Sequence, residues 1–166
     1  MADIHRSENL KTVEQYNHIL QYLDQTGKRL GLEVRLVKFP RAVKMIDQYN
    51  LLADKPHITL VGPFGFLDYL ALQYHAYGVI SDSGTSQEEC PMLRVPVVVP
   101  RNFTERPESV KFGNSILIGE TTPVETMVRK TLKFFTSYTV SKEQIAWLGD
   151  GKTSQHIVNI LKERLS

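Results

Sequence analysis

The chain contains a single cysteine, Cys90, in 166 residues. That excludes an internal disulfide and fits a reducing, cytoplasmic compartment. It also leaves too few thiols for a structural zinc site, and no His-x-x-x-His spacing compensates, so no metal is expected. Net charge is nearly absent: 20 Lys and Arg against 18 Asp and Glu leave +2. So small a surplus gives no reason to expect a nucleic-acid partner, although a local basic cluster is enough to hold one phosphate ligand. No apolar run approaches the ~20 residues that span a bilayer, so no membrane partner is expected. Residues 1–5 lack an apolar segment behind a basic start and do not read as a signal peptide. Neither G-x-x-x-x-G-K-S/T nor G-x-G-x-x-G occurs, and there is no internal repeat, low-complexity stretch or linker.

What is present reads as one globular domain over residues 1–166. Apolar residues make up 42% and charged residues 23%, in the soluble range. Leu10, Val13, Tyr16, Leu20 and Leu23 form one helical stripe, which predicts a helix over 9–30 with Ser7, Glu8 or Asn9 at its N-cap and Gly31 at its C-cap. Residues 33–39 alternate as a strand does, and 57–61, 78–81, 96–100 and 115–118 read as further short strands. Helical patterns lie at 41–48, 67–76, 85–93, 106–112, 123–135 and 153–165. Strands alternating with helices predict an α/β fold with a Rossmann-like parallel sheet flanked by helices. Ligands of such sheets bind at the carboxyl ends of the strands, so the loops after the strands are where chemistry is expected.

Three of these loops stand out. In Ser81-Asp82-Ser83-Gly84-Thr85-Ser86-Gln87-Glu88-Glu89 a small-residue turn leads from a strand into a helix. The outward amides of such a helix start bind phosphate without a basic residue, and Glu89 is placed to accept from a sugar diol. An ordinary capping box with two dipole-complementing glutamates explains the same residues. Arg101-Asn102-Phe103-Thr104-Glu105-Arg106 places two guanidinium forks at the same sheet edge, suited to phosphate or simply solvated. His5-Arg6 precedes the first helix and offers a second anion site, or a frayed terminus. His18, His75 and His156 fall inside helical patterns and share no ligand spacing. Gly149-Asp150-Gly151-Lys152-Thr153 lacks phosphate-loop spacing and reads as a turn with an N-cap.

Taken in order, His5-Arg6-x-Glu8-Asn9, Ser81-Asp82-Ser83-Gly84-x-x-Gln87-Glu88-Glu89-x-Pro91, Arg101-x-x-Thr104-Glu105-Arg106-Pro107-Glu108 and Gly149-Asp150-Gly151-Lys152-x-Ser154 resemble the non-hydrolysing UDP-N-acetylglucosamine 2-epimerases. The spacing agrees along the whole chain, including residues 60–70. The resemblance implies the C-terminal half of a two-domain GT-B architecture, which interconverts UDP-GlcNAc and UDP-ManNAc by elimination and re-addition of UDP. It implies that Ser83, Gly84 and the Thr85 backbone hold the diphosphate, that Glu89 binds the ribose hydroxyls, and that Arg106 with Arg101 orders the phosphate side. His5 is the implied catalytic residue, with Arg6 beside it near the diphosphate and sugar. The backbone near Tyr69 is implied to meet uracil. No cofactor is implied.

The family's N-terminal half, with its acid/base carboxylates, has no counterpart here, and the strand before the His-Arg motif is expected to be mostly missing. The chain thus reads as an isolated domain, a split subunit or a truncated frame, inactive alone. Its expected partners are a UDP-sugar and the other half or a second subunit, with a homodimer open. A hydrolysing relative, a non-catalytic UDP-sugar-binding or subunit-interaction module, and a glycosyltransferase half are the competing readings; residues 104–108 argue against the last. Two departures stand out: Gly84-Thr85 replaces the usual Gly-Gly, and Phe39-Pro40-Arg41 replaces His-Pro-Arg at a site where a second substrate molecule activates bacterial members.

Overall fold

A computed structural model describes residues 1–165. Six strands run in one parallel sheet: β1 (Ala2–Asp3), β2 (Val34–Val37), β3 (Ile58–Val61), β4 (Val79–Ser81), β5 (Val97–Val99) and β6 (Ser115–Leu117), in the spatial order β3-β2-β1-β4-β5-β6. Helices fill the connections: α1 (Val13–Leu30), α2 (Pro40–Tyr49), α3 (Phe66–Tyr74), α4 (Gly84–Met92) and α5 (Pro107–Lys111). After β6 come α6 (Val124–Ser137), α7 (Lys142–Ile145), a 3-10 turn (Ala146–Leu148) and α8 (Thr153–Leu165). This is the Rossmann-like α/β architecture that the alternation of elements predicts. No helix among the described residues is long and apolar enough to cross a membrane.

The central strands β4 and β5 are buried throughout because both faces are covered, whereas β2 exposes Arg35 and β3 exposes Thr59. Val34, Leu36, Ile80 and Val98 point into a core shared with Ile19, Leu20 and Leu23 of α1 and Met127 and Val128 of α6. Their neighbours Val79, Val97 and Val99 point the other way and meet Cys90 and Val95. Side chains alternate faces at every residue of a strand, so three-residue strands serve both cores. The α1–α6 contact is fastened by a buried bond of 2.6 Å between the hydroxyls of Tyr22 and Thr131.

Two expectations need correction. The strand before His5 is present: Ala2 pairs with Leu36 of β2 and with Ile80 of β4, so its two residues lie mid-sheet. Two residues show no periodicity, which is why alternation does not reveal them. The first helix begins at Val13 rather than at residue 9, and its N-cap is Thr12, whose hydroxyl accepts from the Gln15 amide at 3.2 Å. Residues 7–10 form a turn instead, with the Asn9 and Leu10 amides donating to the Arg6 carbonyl and the Asn9 side chain donating to Asp82. Gly31 does cap the helix, in the left-handed conformation (φ 65°) that glycine adopts without strain. The helix at α7 falls on a stretch too short to show a period.

Gly78, just before β4, lies under the ring of Phe135 from α6. A methyl there would sit 2.5–2.7 Å from three ring carbons. Gly78→Ala should lower stability by about 1–3 kcal/mol in urea unfolding, as overpacking does. Adding Phe135→Leu should recover part of that loss. No change in the single variant would show that this contact is loose.

Candidate functional site

The order of strands reverses between β1 and β4, and β1 and β4 pair directly in register, Asp3 with Ser81. At that switch point the two strands diverge into different connections and leave a crevice at their carboxyl ends. β1 runs into His5 and Arg6; β4 runs into Asp82, Ser83 and α4.

Asp82 joins these two loops. Its buried carboxylate accepts from the His5 amide (3.0 and 3.1 Å), the Arg6 amide (2.9 Å) and Asn9 Nδ2 (3.0 Å). Burial raises its pKa, opposed by those same donors and by the nearby imidazole. Asp3, 2% exposed, faces it from β1. Asp3 Oδ1 lies 2.8 Å from His5 Nδ1, while Oδ2 accepts from the Tyr69 hydroxyl and, at 3.4 Å, from Ser81 Oγ. Burial, then the Asp3 charge, pushes the Tyr69 hydroxyl pKa up, so it serves as a donor. Asp3, His5 and Asp82 bring their ligand atoms within 4.8 Å of one another, a spacing a cation would accept. Their oxygens, however, are already occupied by the donors just named.

A cavity of about 400 Å³ opens beside this network, lined by His5, Phe39, Phe64, Tyr69, Thr85 and Glu89 among others. Ser83 also lines it and is the N-cap of α4, yet makes no side-chain cap bond; its own amide donates to Ser81 Oγ at 3.0 Å. The first-turn amides of α4 are thus left for a ligand, at the positive end of the helix dipole. Glu89 is half-buried; its Oε2 has no partner among the described residues, and burial raises its pKa. A carboxylate and the start of a helix lining one cavity suit a ligand bearing both hydroxyls and an anion.

The sequence-predicted residues divide here. His5, Tyr69, Ser83, Thr85 and Glu89 surround the one cavity. Arg106 lies across Gly84, with its Cζ 3.6 Å from where a Gly84 methyl would be, and its Nε donates to Glu88. Arg6 is half-buried and its Nε has no partner among the described residues. Arg101 stands apart: 1% exposed, it donates to Glu8 (2.8 Å) and Glu105 (2.9 and 3.1 Å) and lies 4.4 Å over the Phe103 ring. Its forks are committed to carboxylates that brace the loops on either side of the crevice. Thr104 continues the brace by donating to Gln87 of α4 at 2.9 Å. Sequence reasoning missed Asp3 and the carboxylate role of Asp82, and it singled out Phe39 only as a departure from the family's His-Pro-Arg motif, not as a wall of this cavity. Of these, Asp82 was signalled by its place at the end of a strand beside Ser83.

The fold and this crevice define a Rossmann-like α/β domain with its ligand site at the topological switch point. Residues 1–162 match the family model for UDP-N-acetylglucosamine 2-epimerase, and the chain belongs to that family. A UDP-N-acetylglucosamine 2-epimerase of Methanocaldococcus jannaschii is 30% identical over 169 residues, covering 97% of this chain and 43% of that protein. The enzyme of the same name from Escherichia coli K12 is 29% identical, covering 95% and 42%. Among solved structures, the M. jannaschii epimerase in complex with UDP-GlcNAc and UDP superposes with a TM-score of 0.83 at 28% identity, covering 98% of this chain and 44% of that one. The Neisseria meningitidis epimerase bound to UDP-GlcNAc gives 0.76 at 27%, covering 98% and 44%. The chain therefore spans less than half the length of the relatives it matches.

The Asp82 clamp has a measurable consequence. Asp82→Asn keeps an oxygen for the donors on Oδ2 but turns an NH2 group against the His5 amide at Oδ1 and removes the charge, and should cost about 2–3 kcal/mol in denaturant unfolding. The Arg101 brace has another. Arg101 holds the Glu105 carboxyl down at about 2, from an ordinary 4.5. A depressed folded pKa contributes stability that is complete above 4.5 and is lost as pH falls toward about 2. Arg101→Met should flatten that acid limb of the stability curve. Glu105 is 43% exposed, so salt should weaken the effect in the wild type. An acid limb unchanged by Arg101→Met would contradict the brace.

Proposed function

We propose that this chain is the UDP-binding half of a sugar-nucleotide 2-epimerase that interconverts UDP-GlcNAc and UDP-ManNAc by elimination and re-addition of UDP. The observation that carries the reading is the cavity at the β1/β4 switch point, which is lined together by Glu89 and by the start of α4, whose N-cap Ser83 makes no side-chain cap bond. In this reading the amides of the Ser83-Gly84-Thr85 turn take the diphosphate, and Glu89 takes the ribose diol. Pro63, Phe64 and Phe66 supply an apolar wall for the base beside Tyr69. Arg106 exchanges Glu88 for a phosphate oxygen, and Arg6 lies on the same side.

The chemistry follows from what each group can do. Elimination across C1–C2 leaves negative charge on the departing diphosphate, and donors fixed in advance toward that charge lower the barrier. The α4 amides, Arg106 and His5 are such donors. Removal of the C2 proton needs a base, which this reading assigns to the part of the relatives' length that the chain lacks. That makes the isolated chain a binder rather than a catalyst, acting beside a second polypeptide or half in the cytoplasm. α8 supports a partner: Ile157, Val158, Ile160, Leu161 and Leu165 are each about half exposed or more.

The test is calorimetric titration of the chain with UDP, using ADP as the control. UDP should bind selectively. Arg106→Ala or Glu89→Ala should each weaken it about 10- to 150-fold, the loss of one charge-assisted hydrogen bond. Equal affinity in wild type and both variants would overturn the assignments. Heat with ADP equal to that with UDP would overturn base selectivity.

A further inference from the structure

We propose that Asp3 is the positioning residue for His5: it turns the imidazole so that Nδ1 faces the sheet and Nε2 faces the cleft. The inference deepens the reading above and rests on it for what His5 does, but the geometry stands by itself. Asp3 closes β1 and His5 follows two residues later, so an extended backbone brings both side chains to one face. Asp3 Oδ1 is 2.8 Å from Nδ1, and Asp82 Oδ1 lies 3.3 Å from the same nitrogen. The Phe39 ring covers one face of the imidazole, 4.7 Å between centroids and tilted by 33°. Nε2 makes no hydrogen bond among the described residues, while the side chain is 31% exposed and lines the cavity.

Two carboxylates on Nδ1 fix the tautomer of the neutral ring, with the proton on Nδ1, and stabilise the imidazolium, which then presents Nε2–H to an anion in the cleft. The hydrogen bond that His5 donates to Asp3 is the main cause that raises the pKa of His5, with the charges of Asp3 and Asp82 adding to it and burial and Arg6 opposing. The other ionisable groups that face the ring are Lys38 from the β2–α2 connection, Tyr69 from α3 and Glu89 from α4. Asp3 is itself held: its second oxygen accepts from Tyr69, so the wall of the cavity and the imidazole share one carboxylate.

The experiment is a pH titration of the 15N-histidine-labelled chain, without ligand, by long-range 1H–15N correlation. Wild-type His5 should titrate above 6.5 and show the Nδ1–H pattern when neutral. Asp3→Asn should lower that pKa by about 1 unit and mix the tautomers, whereas Tyr69→Phe, which keeps the carboxylate, should not. A wild-type ring with Nε2–H, or a pKa that Asp3→Asn leaves in place, would overturn the proposal. If Asp3→Asn does not fold, the wild-type tautomer alone decides. Because no nucleotide is present, the outcome is separate from UDP binding: an intact Asp3–His5 pair with no UDP heat would sink the function and spare this inference.

Discussion

A single buried carboxylate, Asp82, holds the end of β4 to the chain leaving β1. Without it, two peptide N–H groups and one side-chain amide at the centre of the domain would lack acceptors, at a cost of about 1–3 kcal/mol each. Everything that shapes the crevice is downstream of this contact. His5 and Arg6 are aimed by their own amides. Asn9 spends its side-chain amide on the same carboxylate, and α1 is capped by Thr12 instead. Ser83 follows Asp82 directly, and so the first turn of α4 is placed opposite His5.

The crevice is built from opposed charges whose partners differ in availability. Both terminal nitrogens of Arg101 are engaged by Glu8 and Glu105, which ties the loop after β1 to the loop after β5. Arg106 is tied to Glu88, but both side chains are about a third exposed, so the pair can be exchanged at small cost. Glu89 is the exception, half-buried and unbonded at Oε2. An anion alone would be repelled by it. A ligand that brings hydroxyls to Glu89 and an anion to the α4 amides would satisfy both, which is the chemistry of the proposed nucleoside diphosphate.

Much of this was legible in the residues. Alternation of β-branched runs with helical stripes foretold a parallel α/β sheet, since strands covered on both faces must be apolar throughout. The turn Ser83-Gly84-Thr85 and Glu89 were legible because a helix start after a strand is a local pattern. What stayed hidden depends on distant contacts. β1 is only two residues long and owes its existence to neighbours on both sides. Arg101 looks in the sequence like a second phosphate ligand, and only packing shows its forks turned toward Glu8 and Glu105. Asp3 carries no motif of its own; it matters because β1 and α3 converge on His5.

The central claim is that a uridine diphosphate sits at the carboxyl edge between β1 and β4. The direct measurement is an amide 1H–15N map of the chain titrated with UDP. The account predicts the largest shifts at Ser83, Gly84, Thr85 and His5, with smaller ones near Tyr69. Shifts confined to the opposite edge of the sheet, around Leu32, Tyr77 and Gly78, would contradict it, as would saturation without any change at the start of α4.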